Sequence, residues 1–155
     1  MKVTINDIEF TLDVNEFTEL VKIWKGESVT MSDENPSQKV DPLIQVFTLG
    51  NRLYILQISP TEADGLLDWY DSVDYCKFLT INNSTDWVLP NEEELKYMYN
   101  TKKHNDHAFN GINYWSSTST TLGTASFLNL TDGQIRSANK HDRLSVRPIR
   151  RIYLS

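Results

Sequence analysis

Cys76 is the chain's one cysteine, and His104, His107 and His141 are its three histidines, so nucleophilic or metal chemistry would have to begin with these four side chains. A thiol attacks as the thiolate, which needs an activating base or an exposed electropositive setting. Cys76 instead shares helical spacing with Trp69, Val73 and Leu79, so it is expected on a buried apolar face. A lone cysteine also excludes an intramolecular disulfide and any multi-cysteine metal site. His104 and His107 stand three apart in Lys102-Lys103-His104-Asn105-Asp106-His107, and His141-Asp142 lies farther on. A metal centre needs three or four convergent ligands held by supporting hydrogen bonds, and spacing alone supplies neither. No metal and no cofactor is therefore expected. With no Ser-His-Asp signature, Gly-rich phosphate loop or carboxylate pair at a predicted cleft, the chain reads as a non-enzyme.

Surface recognition remains. Ser116 to Thr121 is an unbroken run of six hydroxyl residues, and residues 136–143 read Arg-Ser-Ala-Asn-Lys-His-Asp-Arg. Such segments supply adaptable donors and acceptors for a sugar or a protein partner when a rigid scaffold carries them. The candidate ligand-binding residues are Ser119, Thr120, Thr121, Arg136, Asn139, Lys140, His141, Asp142 and Arg143, with His104 and His107 beside them. The plainer alternative is two ordinary solvated loops.

A chain of 155 residues has room for one domain with a small appendage. Its net charge of −6 is unevenly spread: residues 1–75 hold 5 basic and 14 acidic side chains, whereas residues 101–155 hold 8 and 3. The basic residues of the C-terminal part are interrupted by apolar strand positions, unlike the dense basic and aromatic track of a nucleic-acid groove, so no nucleic-acid partner is expected. No apolar run is long enough to span a membrane, and the N-terminus MKVTINDIEF has no signal-peptide core.

The elements that must position these residues follow from periodicity. Alternation from Val3 to Leu12 around Asn6-Asp7 predicts a hairpin, and the Val14, Phe17, Leu20, Val21, Trp24 stripe predicts a helix over 14–25. Residues 27–41 have linker composition. Two apolar runs, 43–49 and 53–58, flank Gly50-Asn51 and predict a central hairpin; helices are predicted over 68–80 and from Asn91. Short strands follow at 114–115, 125–130, 134–137 and 145–153.

Three ordered segments, Asp86-Trp87-Val88-Leu89-Pro90 leading to Glu94-Leu95, Tyr114-Trp115-Ser116-Ser117-Thr118, and Ser145-Val146-Arg147-Pro148-Ile149-Arg150, resemble a bacterial and phage family with the pattern DWRLP, YWSST, DG and VRxVR. It is typified by the C-terminal domain of collagen-like adhesins (Lcl). The Trp69 to Cys76 helix is similar too, and the resemblance covers roughly residues 43–153. Val88 departs from the family Arg, Asn91 from Thr, and Pro148 from the residue before the last Val-Arg pair.

The resemblance implies an α+β, C-type-lectin-like fold over residues 41–155; residues 1–40 have no counterpart in its motifs, and the hairpin and helix read from periodicity make them a ββα appendage. Asp86, Trp87, Leu89, Pro90, Trp115, Arg147 and Arg150 would be its structural motif, the tryptophans in the core and the arginines paired with Asp86 or the Glu92–Glu94 run. The acidic Pro tripeptide and WND of calcium-dependent lectins are absent, as is the cysteine pair of the formylglycine-generating relatives. Family members imply a recognition or display module, often a homotrimer: a phage virion surface protein contacting a cell-surface glycan or protein, with residues 1–40 expected as the element that attaches it to other virion proteins or joins its subunits. A purely structural virion protein and a bacterial adhesin-like binding protein are the alternatives. The expected location is the virion surface, or the cytoplasm if the protein is cellular.

Overall fold

The structure, a computed structural model, describes residues 2–5, 8–11, 46–102 and 109–154, and it divides into two compact units, Met1–Gln57 with Ile152–Ser155, and Ile58–Arg151. The predicted helix over 14–25 and the linker over 27–41 lie outside the described residues.

In the first unit, β1 (Lys2–Ile5) and β2 (Ile8–Thr11) pair antiparallel with Ile5 opposite Ile8. β3 (Val46–Leu49) and β4 (Arg52–Ile58) form the second hairpin, Leu49 opposite Arg52. Gly50 turns the corner at φ 59°, a left-handed conformation that costs glycine little. Phe47 and Tyr54 face each other across the pair with ring centroids 5.4 Å apart. Tyr54, Ile55 and Leu56 are buried in succession, as an apolar run on both faces of a strand requires. The end of β8 (Ile149–Tyr153) completes a sheet of order β3–β4–β8: Tyr153 packs on Tyr54, and the Leu154 amide donates to the Leu53 carbonyl at 2.8 Å.

In the second unit, α1 (Trp69–Phe78) starts where the Asp68 carboxylate accepts from the Asp71 amide at 2.8 Å. Its inner face is not the predicted one throughout. Ser72 and Cys76 are buried whereas Val73 is 37% exposed. Ser72 can take the inward position because its hydroxyl donates to the Asp68 carbonyl within the same turn. α2 (Glu92–Thr101) opens with a complete capping box: the Asn91 side chain accepts from the Glu94 amide, and the Glu94 carboxylate accepts from the Asn91 amide. Between the helices, Asn82 and Asn83 both have positive φ (49° and 64°) and close a tight turn between Ile81 and Ser84.

β5 (Asn113–Ser119), β6 (Thr124–Asn129) and β7 (Ile135–Asn139) form an antiparallel meander. The strand predicted over 145–153 is regular only from Ile149. Its first residues, carrying Pro148 without an N–H, make isolated bridges, Ser145 to Tyr114 and Ile149 to Val88. Trp115, Val146, Leu89, Cys76 and Ala125 meet as the core of this unit, with Trp69, Tyr75, Phe127 and Leu144 against them. The architecture is mixed α+β with small antiparallel sheets.

Candidate functional site

One end of the β5–β6–β7 sheet gathers both polar segments. The Thr120 hydroxyl is 2.8 Å from that of Ser137, and the Lys140 amide donates to the Gly123 carbonyl at 2.8 Å, so the β5–β6 turn and the residues after β7 are tied into one surface. The hydroxyls hold the turn itself: Ser119 donates to the Thr121 carbonyl, and Thr121 Oγ1 accepts from the Gly123 and Thr124 amides. Asn139 accepts from the His141 amide while Asp142 accepts from the Asn139 amide, closing the second turn. Leu122 stands at the tip, 96% exposed. His104 and His107 lie outside the described residues.

The basic candidates behave differently from one another. Lys140 is only 6% exposed; its ammonium lies 4.4 Å from the centroid of the Trp69 ring and 5.7 Å from that of Tyr70. A buried alkyl stem and a cation over two aromatic faces make this lysine part of the scaffold. Arg136 pairs with Asp132, and that hydrogen bond holds the Asp132 carboxyl below its usual value. Arg143 and His141 are exposed, the His141 ring 5.7 Å from Tyr70.

Trp87 and Trp115 lie in the interior with their indole N–H groups donating to the carbonyls of Ser84 and Leu67. Leu89 and Pro90 are buried beside them. Arg150 pairs with Asp86, as expected for this motif. Two other ion pairs were not legible: Arg151 binds both oxygens of the fully buried Glu94, and Arg147 pairs with Glu62 instead of Asp86 or the Glu92–Glu94 run.

Arg147 sits in a second, interior constellation. Residues 59–67 run beside 144–148 through the bonds Ser59 to Pro148, Ala63 to Val146 and Leu67 to Leu144. Alternation along this spine points Val146 into the core and leaves Arg147 against the facing segment. Its guanidinium, 1% exposed, donates to the Ser59 carbonyl and to Glu62 Oε1, both at 2.9 Å. Glu62 Oε1 also accepts from the Tyr114 hydroxyl at 2.6 Å and the Asn110 amide at 3.3 Å. Burial, reinforced by the bond to Glu62, pushes the Tyr114 phenol far above its ordinary value, so it stays a donor at any physiological pH. A pocket of about 520 Å³ opens here, lined by residues 60–66, Asn110, Gly111, Ser145 and Arg147. The sequence signal for it was a buried arginine in Val-Arg-Pro that needs a carboxylate; which one is a matter of contact across 85 residues.

Among the described residues, no group of three His, Cys, Asp or Glu side chains is placed to hold a metal ion, and no helix is long and apolar enough to cross a membrane. Burial pushes the Cys76 thiol up to about 12, which leaves it without nucleophilic character near neutrality. A family model described as Lcl C-terminal domain matches residues 19–150, most of the chain and beginning upstream of the sequence motifs. No curated protein matches it.

Proposed function

The chain belongs to the Lcl C-terminal domain family, and from that premise we propose that it is a non-catalytic recognition module with a C-type-lectin-like fold. The observation that carries this reading is the joining of two polar turns at one sheet end by the Thr120–Ser137 and Lys140–Gly123 bonds. Hydroxyl and amide groups spent on internal bonds make the turns rigid, which lowers the ordering cost of binding. What faces outward is a mixed set, Leu122 flanked by Thr121, with His141 and Arg143, suited to a glycan or a protein receptor. Display on a phage virion or bacterial surface, and trimeric assembly, belong to the same proposal.

The test is binding of the full chain to a glycan array and to host cells, with Leu122→Ser, His141→Ala and Arg143→Ala as variants. Loss of roughly tenfold or more in affinity is expected from at least one of them, since a few contacts dominate a recognition surface. Unchanged binding in all three, or none to begin with, removes the sheet end as the site. Lys140 is unsuitable for this test because its replacement disturbs the Trp69 packing.

A further inference from the structure

We propose that the Glu62–Ser145 pocket is a second binding site, separate from the sheet end, and that it takes a small ligand through a primary ammonium group, with an amino sugar as the class that fits its size. At about 520 Å³ the pocket lies within the range of small-molecule sites.

Two groups lining it are held in place yet retain bonding capacity. Glu62 Oε1 receives Arg147, Tyr114 and the Asn110 amide, which fixes the carboxylate, while among the described residues Oε2 accepts no hydrogen bond. Ser145 is 7% exposed, and its backbone is engaged on both sides, by the Trp115 amide and by the Asn113 carbonyl. Its hydroxyl has no hydrogen bond among the described residues, and it is not sealed from solvent, so the pocket is where it can be satisfied. Gly111 allows this: a Cβ there would stand 2.0 Å from Ser145 Oγ.

The sign of the ligand follows from the charges. Arg147 is neutralised by Glu62, and Asp64, also in the lining, leaves the pocket with one carboxylate in excess. Anions are disfavoured, and neutral polyols gain only hydrogen bonds. An ammonium brings three donors to Glu62 Oε2 and the Ser145 hydroxyl, and a positive charge to a lining with one carboxylate in excess. Pro60, Ala63 and Leu66 offer apolar surface to a carbon skeleton.

The experiment is a titration of the full chain, followed by amide NMR shifts, with glucosamine, N-acetylglucosamine, glucuronate and N-acetyl-lysine methylamide. Glucosamine should saturate the protein with shifts at residues 60–66 and 110–111 and bind roughly tenfold or more tighter than its N-acetyl counterpart, the value of one charge-assisted contact. Asp64→Asn, at an exposed position, and Ser145→Ala should each weaken it several-fold while the spectrum stays that of the folded protein. No saturation by tens of millimolar glucosamine, equal binding of the acetylated or acidic sugar, tighter binding of the lysine derivative, or both variants binding as wild type would each overturn the proposal. Shifts confined to residues 119–124 and 136–143 would also overturn it, and would leave the sheet-end reading standing.

Discussion

Two arginines three residues apart illustrate how burial decides what a charge is worth. Arg147 and Glu62 are nearly enclosed, so Arg147→Ala strands a carboxylate in the interior and should cost about 3–5 kcal/mol in denaturant unfolding. Arg150 pairs with Asp86, whose side chain is 58% exposed, and Arg150→Ala should cost under about 1 kcal/mol. Equal losses would show that the Glu62–Arg147 pair is as solvated as the other. Cys76 gives a prediction in pH. Below about pH 9 the thiol is neutral in both folded and unfolded chains, so it has no effect there. Between 9 and about 12 the unfolded chain releases the proton first, and stability should fall as pH rises. Native protein should accordingly resist alkylation at pH 8 and react only on unfolding; fast native labelling would contradict the burial. At this scale the sequence showed that Cys76, Trp87 and Trp115 belong inside, because their apolar surface demands it, but it could not show Glu62 as the partner of Arg147.

Among the elements, α2 carries the strongest local instruction and also the clearest tertiary override. Its capping box is readable from Asn91 and Glu94 alone, and Asn91→Ala should cost about 1 kcal/mol. Glu94 does more than cap, since Arg151 from the far end of the chain bonds both its oxygens. Glu94→Ala should therefore cost about 3 kcal/mol or more, several times the Asn91 loss, by thermal unfolding. A Glu94 effect no larger than that of Asn91 would mean that Arg151 contributes nothing. The β6–β7 connection depends on Gly133, at φ 71°, where a Cβ would stand 2.6 Å from the Tyr99 ring; Gly133→Ala should destabilise through both the backbone and the clash. Helix starts, hairpin turns and strand positions were legible because each is encoded within a few residues. The inward turn of Ser72 in place of Val73 was not, since it depends on what lies opposite the helix.

On the scale of the molecule, the loops after β5 and β7 acquire meaning from being neighbours. Lys140 links them to α1 through Trp69, whose amide donates to the Lys140 carbonyl at 2.9 Å. Lys140→Ala should lower stability by about 1–2 kcal/mol and loosen both turns together, seen as faster amide exchange at residues 119–124 and 139–142. Unchanged exchange at the first turn would show that the two are not mechanically joined. Trimer formation is checked by light scattering, where a monomer at high concentration speaks against it.

By itself the sequence determined the α+β class, the hairpin registers, the capping of α2 and the family, because turns, caps and ordered motifs are written in contiguous residues. The masses of opposite charge in its two ends told which residues needed partners without saying where those partners stood. Tertiary structure alone chose Glu62 for Arg147, Glu94 for Arg151 and the aromatic seat of Lys140, and it alone opened the pocket beside Ser145. The physical reason is that ion pairs and cavities form between residues tens of positions apart, where distance and burial, not spacing along the chain, set the energy.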